Sequence, residues 1–279
     1  MTSTKFITYL SPAKLNLGLR ILNKREDGYH NLKTIFCLIN LFDKVSIQII
    51  DNPKISLIEH KQAWAYQNDL SYKAAKLLQQ VTNTQLGANI KISKTIPSGA
   101  GLGGGSSDAA TTLIMLNNLW NTKLSKQKLI ELGSTLGADV PFFIYGQNAV
   151  ATGIGDQFTP IIVPEEHFVL VKPNFNISTR DVFNSLNLTS TRVEEPTNEI
   201  LLKSRFNDLQ KIACEINPEL TKIINSLKTF GNPTMTGSGS VVYLSYTDKN
   251  IAKNIAKELK KQYNSYLVSS LDCSPVFML

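Results

Sequence analysis

The run Pro97, Ser98, Gly99, Ala100, Gly101, Leu102, Gly103, Gly104, Gly105, Ser106, Ser107 holds five of the chain's sixteen glycines within seven residues. Glycine tolerates positive φ and carries no Cβ, so successive N–H groups can turn inward as a concave array of donors. A helix beginning near Ser106 would add its partial positive charge. The guest such a cradle suits is a polyphosphate. A glycine-rich turn before a helix also arises for purely steric reasons, so the flanks matter. A strand pattern at residues 88–93 precedes the run, and Ala109, Ala110, Leu113, Ile114, Leu116 and Leu119 follow it as a helical apolar stripe. No Gly-Lys-Ser/Thr closes the loop, which excludes a P-loop, and no His-Arg-Asp or Asp-Phe-Gly exists for a protein kinase. A Rossmann fingerprint wants an acidic residue about twenty positions on, where residues 116–120 read as helix instead.

Three other positions invite a chemical reading. Ala13, Leu15, Leu17, Leu19 and Ile21 alternate with Lys14, Asn16, Gly18 and Arg20, the pattern of a half-buried strand. Lys14 and Asn16 then lie side by side on the face pointing out of the core. A lysine there is either a solvated charge or a phosphate-facing ammonium. Asp139, in Gly137-Ala138-Asp139-Val140-Pro141, falls just past the end of an expected helix, with Pro141 stopping that helix from resuming. A helix C-terminus disfavours a negative charge, so Asp139 is either a turn aspartate bonded to its own backbone or a carboxylate with a cationic partner. Thr236-Gly237-Ser238-Gly239 leads into a strand. It reads equally as a hairpin entry or as the wall of a cleft opposite the first glycine loop.

These groups must be positioned by the elements around them. A polar turn at residues 23–29 leads to strands at 32–39, 45–50 and 55–59, and Asn68 or Asp69 caps a helix bearing Leu70, Ala74, Leu77 and Val81. Ser125 caps a further helix with Leu129, Leu132 and Leu136 inward, and Gly137 ends it. The second half gives a strand at 168–172, helices near 199–203, 207–216 and 218–228, a strand at 241–246, a helix at 249–261 and a strand at 266–271. This β-α-α-β-α-β order suits a compact sheet with helices on one face, and the change of pattern near Pro160 to Pro164 suits a domain boundary.

The 279 residues can bury a large core and hold two domains, and 42% hydrophobic with 18% charged residues is an ordinary globular composition. No basic, apolar and small-residue leader pattern opens the chain and no apolar run is long enough to cross a bilayer, so the expectation is a cytoplasmic protein with no membrane partner. Cys37, Cys214 and Cys273 are odd in number and far apart, which argues against a disulfide framework and against a thiolate metal site. The net charge of +7 suits anionic substrates. It does not imply nucleic acid, because aromatic residues are not interleaved with the basic clusters. Lys253, Lys257, Lys260 and Lys261 read as a solvated helix face.

Taken in order, Ser11-Pro12-Ala13-Lys14-Leu15-Asn16-Leu17, the run from Pro97 to Ser107, and Thr236-Gly237-Ser238-Gly239 resemble the three motifs of the GHMP kinase superfamily. Within it, Lys24-Arg25-Glu26-Asp27-Gly28-Tyr29-His30 and Leu136-Gly137-Ala138-Asp139-Val140-Pro141-Phe142-Phe143 are similar to the branch acting on a cytidine diphosphate derivative of methylerythritol, in non-mevalonate isoprenoid synthesis. The similarity spans nearly the whole chain and is loosest over residues 177–201 and at the extreme C-terminus.

The resemblance implies an α+β, two-domain GHMP kinase fold. A ribosomal-protein-S5-domain-2-like nucleotide-binding domain would take residues 1–161 and a ferredoxin-like α/β domain residues 162–279. A deep cleft would hold ATP on one side and the cytidine substrate on the other, with the γ-phosphoryl group passing to a tertiary hydroxyl. By the same resemblance Asp139 is the catalytic aspartate that accepts the hydroxyl proton. Lys14 is the lysine that keeps Asp139 ionised and offsets charge on the transferring group. The Pro97 to Ser107 loop wraps the phosphates, with Ser106 or Ser107 near a Mg2+ ion. Asn16, Tyr29 and His30 engage the cytosine, with Phe183 a second stacking partner; on residue type alone, His30 and Phe183 read equally as core. The expected assembly is a monomer or a weak homodimer. Rival readings are a GHMP kinase for mevalonate, homoserine or a sugar, which would have no nucleobase for Tyr29 and His30 to meet. A nucleotide-binding module without catalysis and a basic RNA-binding protein complete the set.

Overall fold

The computed structural model describes residues 5–59, 65–186 and 195–277. Its first strands are long: β1 (Ile7–Lys24) and β2 (His30–Ile50) form an antiparallel pair joined by the tight turn through Gly28. The two strands expected at 32–39 and 45–50 are one continuous element. The polar residues between them read as a break, yet Asp43 is fully buried, its carboxylate accepting from Ile96 N and pairing with Lys94. β3 (Ile55–Leu57) runs parallel to β4 (Gly87–Ser93), which pairs antiparallel with β2. Between them lies α1 (Leu70–Thr82), whose start is capped by Asp69 accepting from Ser71 N. Three helices follow, α2 (Gly104–Leu119), α3 (Lys126–Leu136) and α4 (Val140–Tyr145). The hairpin β5 (Ala149–Thr152) and β6 (Gln157–Pro160) then adds to β2 through Thr34↔Ala151.

The second half contributes β7 (His167–Lys172), α5 (Thr179–Asn184), α6 (Asn198–Ser204), α7 (Leu209–Ile216), α8 (Pro218–Leu227), β8 (Thr234–Met235), β9 (Val242–Tyr246), α9 (Lys249–Leu259) and β10 (Asn264–Leu271). Its sheet order is β10-β7-β9-β8, all antiparallel. β10 continues on to β2 through Ser270↔Ile39 and Leu271↔Leu38, so hydrogen bonding runs unbroken from one half to the other. No helix among the described residues is long and apolar enough to cross a membrane.

Strand alternation divides the interior into three cores. Phe36 and Leu38 of β2 pack beneath α1 to α4 with Leu113, Leu116, Val140 and Phe142. Ile35, Cys37 and Ile39 point the other way and join Leu15 and Leu17 of β1 with Phe168, Leu170 and Tyr243 of the second sheet. Val169, Val171, Val242 and Leu244 face Leu209, Leu220, Leu227 and Leu259 of the C-terminal helices. Each strand between the cores is buried on both sides, and this overturns the expectation for β1. Ala13, Leu15 and Leu17 enter the middle core as the period-2 pattern requires, but Lys14 and Asn16 are not on an outer surface. They are 3% and 4% exposed.

Candidate active site

What covers Lys14 and Asn16 is the glycine loop. The loop folds back over β1 so that the Leu102 carbonyl accepts the Lys14 N–H at 3.0 Å, and Leu102 itself is buried in the middle core. Such an approach needs residues without a Cβ. Gly103 has φ +72°, and a Cβ there would sit 2.8 Å from the Phe143 ring and 3.3 Å from Lys14 Cγ; Gly101 has φ +76°, and a Cβ would sit 2.6 Å from the Thr236 carbonyl oxygen. α2 begins at Gly104, two residues before the expected start.

Beneath the loop lies a cavity of about 540 Å³. Its walls include Lys14, Asn16, Asp139, Thr34 and Phe183, together with Gly237 to Gly239 from the second half. The two glycine segments are thus opposite walls of one cleft, the alternative that the sequence left open for Thr236-Gly237-Ser238-Gly239. From the loop, Pro97 to Gly101 and Gly103 to Ser106 line it. Leu102 and Ser107 do not: Ser107 is fully buried and its hydroxyl accepts from Ser11 Oγ at 2.8 Å.

The Lys14 ammonium is bound on three sides. It donates to Asn16 Oδ1 at 2.7 Å, stands 3.6 Å from Asp139 Oδ2 and lies 4.9 Å from the centre of the Phe36 ring. Burial holds its pKa below the usual lysine value, and the Asp139 charge and hydrogen bond oppose that shift. Asn16 is fixed in turn: its Nδ2 donates to Thr34 Oγ1 at 2.9 Å, and Thr34 Oγ1 donates to the Gly18 carbonyl at 2.6 Å. Asp139 keeps a third of its side-chain surface, 34%, open toward the cavity. Its setting differs from the expectation. Pro141 does not stop a helix but lies in the first turn of α4, where a missing N–H costs nothing, and Asp139 is the residue preceding that helix. The carboxylate therefore sits beside a helix start as well as a helix end, and its nearest charge is a cation.

The expected cytosine contacts divide. His30 and Phe183 come together, ring centres 5.5 Å apart, although they stand on β2 and α5. His30 is 7% exposed, its Nε2 is buried with no hydrogen-bond partner among the described residues, and burial followed by the Lys24 charge lowers its pKa. Tyr29 is 62% exposed in the β1–β2 turn, and of the three only Phe183 lines the cavity; Tyr29 and His30 do not.

The sequence reading passed over a second charged group in the same cavity. Lys94 pairs with Asp43 and, at 2.7 Å, with Asp108 Oδ2. Asp43 also accepts from Ile96 N at 2.8 Å, tying the cluster to the strand that enters the loop. Burial pushes the Asp108 carboxyl up, with Asp43 adding to the effect and Lys94 opposing it. Burial alone would lower Lys94, but its two carboxylates outweigh that and raise it. Asp108 Oδ1 is buried without a partner among the described residues. The available signal was a charge at Asp108 next to Ala109 and Ala110 on the buried side of α2, where an aspartate needs a cation.

Residues 69–147 match the family described as GHMP kinases N terminal domain, and residues 193–265 the one described as GHMP kinases C terminal. A relative from Neisseria meningitidis serogroup A / serotype 4A (strain DSM 15465 / Z2491), 4-diphosphocytidyl-2-C-methyl-D-erythritol kinase, is 44% identical over 268 residues, covering 95% of either chain. A crystal structure of 4-(cytidine 5'-diphospho)-2C-methyl-D-erythritol kinase superposes with a TM-score of 0.83 at 31% identity, over 95% of this chain and 99% of that one. The Methanococcus jannaschii mevalonate kinase has a TM-score of 0.70 at 16% identity, over 96% and 98% of the two chains, a likeness of fold alone.

Proposed function

The chain belongs to the GHMP kinases, and on that premise we propose that it transfers the γ-phosphoryl group of ATP to the 2-hydroxyl of 4-diphosphocytidyl-2-C-methyl-D-erythritol, a step toward isoprenoid precursors by the non-mevalonate route. The observation that carries the reading is the buried Lys14 ammonium 3.6 Å from Asp139 on the wall of the cavity that the glycine loop roofs. Phosphoryl transfer asks a protein for in-line positioning and for charge stabilisation more than for covalent help. Asp139, open to the cavity, accepts the proton of the substrate hydroxyl. Lys14 pairs with that carboxyl and offsets the charge that gathers on the transferring group. Asn16 holds the ammonium in place through its Oδ1.

The glycine loop offers backbone donors and the start of α2 to the phosphates of ATP. Hard oxygen donors suit a Mg2+ ion that keeps much of its water, and the residues on the cavity wall that could hold one are Ser106 and Asp108; Ser107, engaged by Ser11, is not among them. When bound, Mg2+ would supply positive charge that neutralises the phosphates. His30 and Phe183 take the cytosine, with the unpaired Nε2 of a neutral imidazole as the polar contact and Phe183 as the stacking face. Tyr29, at the rim of the turn, joins them when substrate is present.

The test is turnover of the purified protein with ATP and each of four acceptors: the cytidine compound, mevalonate, homoserine and a hexose. The cytidine compound is expected to be phosphorylated with a kcat/KM at least about 100-fold above the others, since they leave the buried His30 polar atom unpaired. Preference for any acceptor without a nucleobase overturns the substrate assignment while leaving the kinase chemistry in place.

A further inference from the structure

Asn207 does not line the cavity, yet its side chain is bonded to the wall that closes it. The segment that carries it docks on β1 just beyond Asn16: Leu19 N donates to the Phe206 carbonyl at 2.9 Å, Asp208 N to the Leu19 carbonyl at 3.0 Å, and Ile21 N to Asp208 Oδ2 at 2.9 Å. From this anchored position Asn207 Nδ2 donates to two main-chain carbonyls of the second glycine segment, Met235 at 2.7 Å and Gly237 at 2.8 Å. Its Oδ1 accepts from Leu209 N at 2.9 Å, at the start of α7. Every hydrogen-bonding atom of the amide except one acceptor lone pair is used.

The clamped segment touches Asn16, the residue that holds the Lys14 ammonium. Thr236 Oγ1 accepts from the Asn16 main-chain N at 2.9 Å, Asn16 Oδ1 holds the Lys14 ammonium, and a Cβ on Gly237 would lie 3.3 Å from that same Asn16 Oδ1. On its other side the segment meets the glycine loop, where Val241 N donates to the Ala100 carbonyl at 3.4 Å. We propose that Asn207 is a positioning residue for phosphoryl transfer: by fixing the Met235 and Gly237 carbonyls relative to β1, it sets the spacing of the two glycine walls and the place of Asn16, and through Asn16 that of Lys14. The inference rests on the kinase reading above for its kinetic consequence, but the clamp itself is a property of the fold.

The decisive variant is Asn207→Asp. It keeps size and the acceptor for Leu209 N, so a role confined to starting α7 survives, but it replaces the NH2 group that donates both bonds with a single oxygen facing two carbonyls. Asn207→Ala removes all three bonds. Both are assayed with ATP and the cytidine compound, and hydrogen exchange is followed in fragments spanning residues 235–241, where the amides of Thr236, Gly239 and Val241 are bonded. Expected is a fall in kcat of about 10- to 100-fold for both variants, as for a catalytic group displaced by an ångström or less, with KM for each substrate within about threefold. Amides 235–241 should exchange at least about tenfold faster, with the α8 and α9 fragments unchanged. Asn207→Asp retaining more than half the parent kcat, a loss confined to KM, or exchange raised uniformly across the chain each overturns the proposal. If the parent does not phosphorylate the cytidine compound, the substrate reading falls, and unaltered exchange at residues 235–241 would still reject the clamp by itself.

Discussion

Lys14 must carry a proton in a place that resists one. The cost of burying its ammonium is offset by Asp139, by Asn16 Oδ1 and by the Phe36 ring, and the net result is a pKa below the ordinary lysine value of 10.5. Two consequences run in opposite directions as pH rises. Activity that needs the ammonium fails at a lower pH than a free lysine would dictate. Stability responds in the other sense: the unfolded chain binds this proton more tightly than the folded one, so the group's contribution to stability increases between the folded pKa and 10.5. The expected kcat profile therefore has an alkaline limb below pH 10.5, not accompanied by a fall in thermal midpoint attributable to Lys14; an alkaline limb that coincides with unfolding would remove Lys14 from its origin. Asp139 supplies the complementary test. Asp139→Asn preserves shape and the cavity wall but cannot accept a proton, so kcat should fall by about 10²- to 10⁴-fold while ATP binding by calorimetry stays within about threefold. Turnover within tenfold of the parent would mean that the hydroxyl loses its proton elsewhere.

At the scale of elements, the site is made by two glycine segments pressed together, and this is where steric economy is greatest. Gly101 has φ +76° and faces the Thr236 and Gly239 carbonyl oxygens, at 2.6 and 3.1 Å from where a Cβ would stand; Gly28 has φ +87° with open space around it. Alanine at either position carries the backbone penalty, about 1–3 kcal/mol. Only at Gly101 does it also push the two walls apart. Gly101→Ala is expected to abolish most turnover and to lower the thermal midpoint more than Gly28→Ala, which should leave kcat near that of the parent. Equal kinetic effects would deny the loop-to-loop contact its role. The glycine loop, the Lys14–Asn16 alternation and the Asp69 and Ser125 caps were legible because each is a local pattern with one physical cause. The setting of Asp139 was not, because a proline two residues on reads as a stop or as a first helical turn, and only the packing of α4 on Leu113 and Phe36 decides between them. Nor was the burial of Lys14, since strand periodicity separates two faces without saying what lies beyond the second.

The whole molecule explains what no local pattern could. Lys14, Lys94, Asp139 and Gly237 meet across sequence separations that only the pairing of β2 with β4 and of β10 with β2 brings to one place. Asn207 and Asp43 belong to the same class: ordinary polar residues by type, given meaning by a partner far along the chain. The net charge of +7, by contrast, was visible from composition, and the cavity lining now says what kind of effect it has. Within the cavity the side-chain cations Lys14 and Lys94 do not outnumber Asp69, Asp108 and Asp139, so long-range attraction of polyanionic ATP and of a diphosphate ester arises from the field of the surface, and the backbone donors of the glycine loop act on contact. Such a field acts on encounter and is screened over about 8–10 Å at physiological ionic strength, whereas the Lys14–Asp139 pair inside is shielded from salt by burial. Raising KCl from 50 to 200 mM should therefore lower kcat/KM for both substrates several-fold and leave kcat unchanged. A fall in kcat itself would mean that salt reaches the reacting groups, and a kcat/KM indifferent to salt would mean that the basic surface serves some other partner. Tight, steeply salt-dependent binding of unrelated RNA in the same range would identify that partner as nucleic acid.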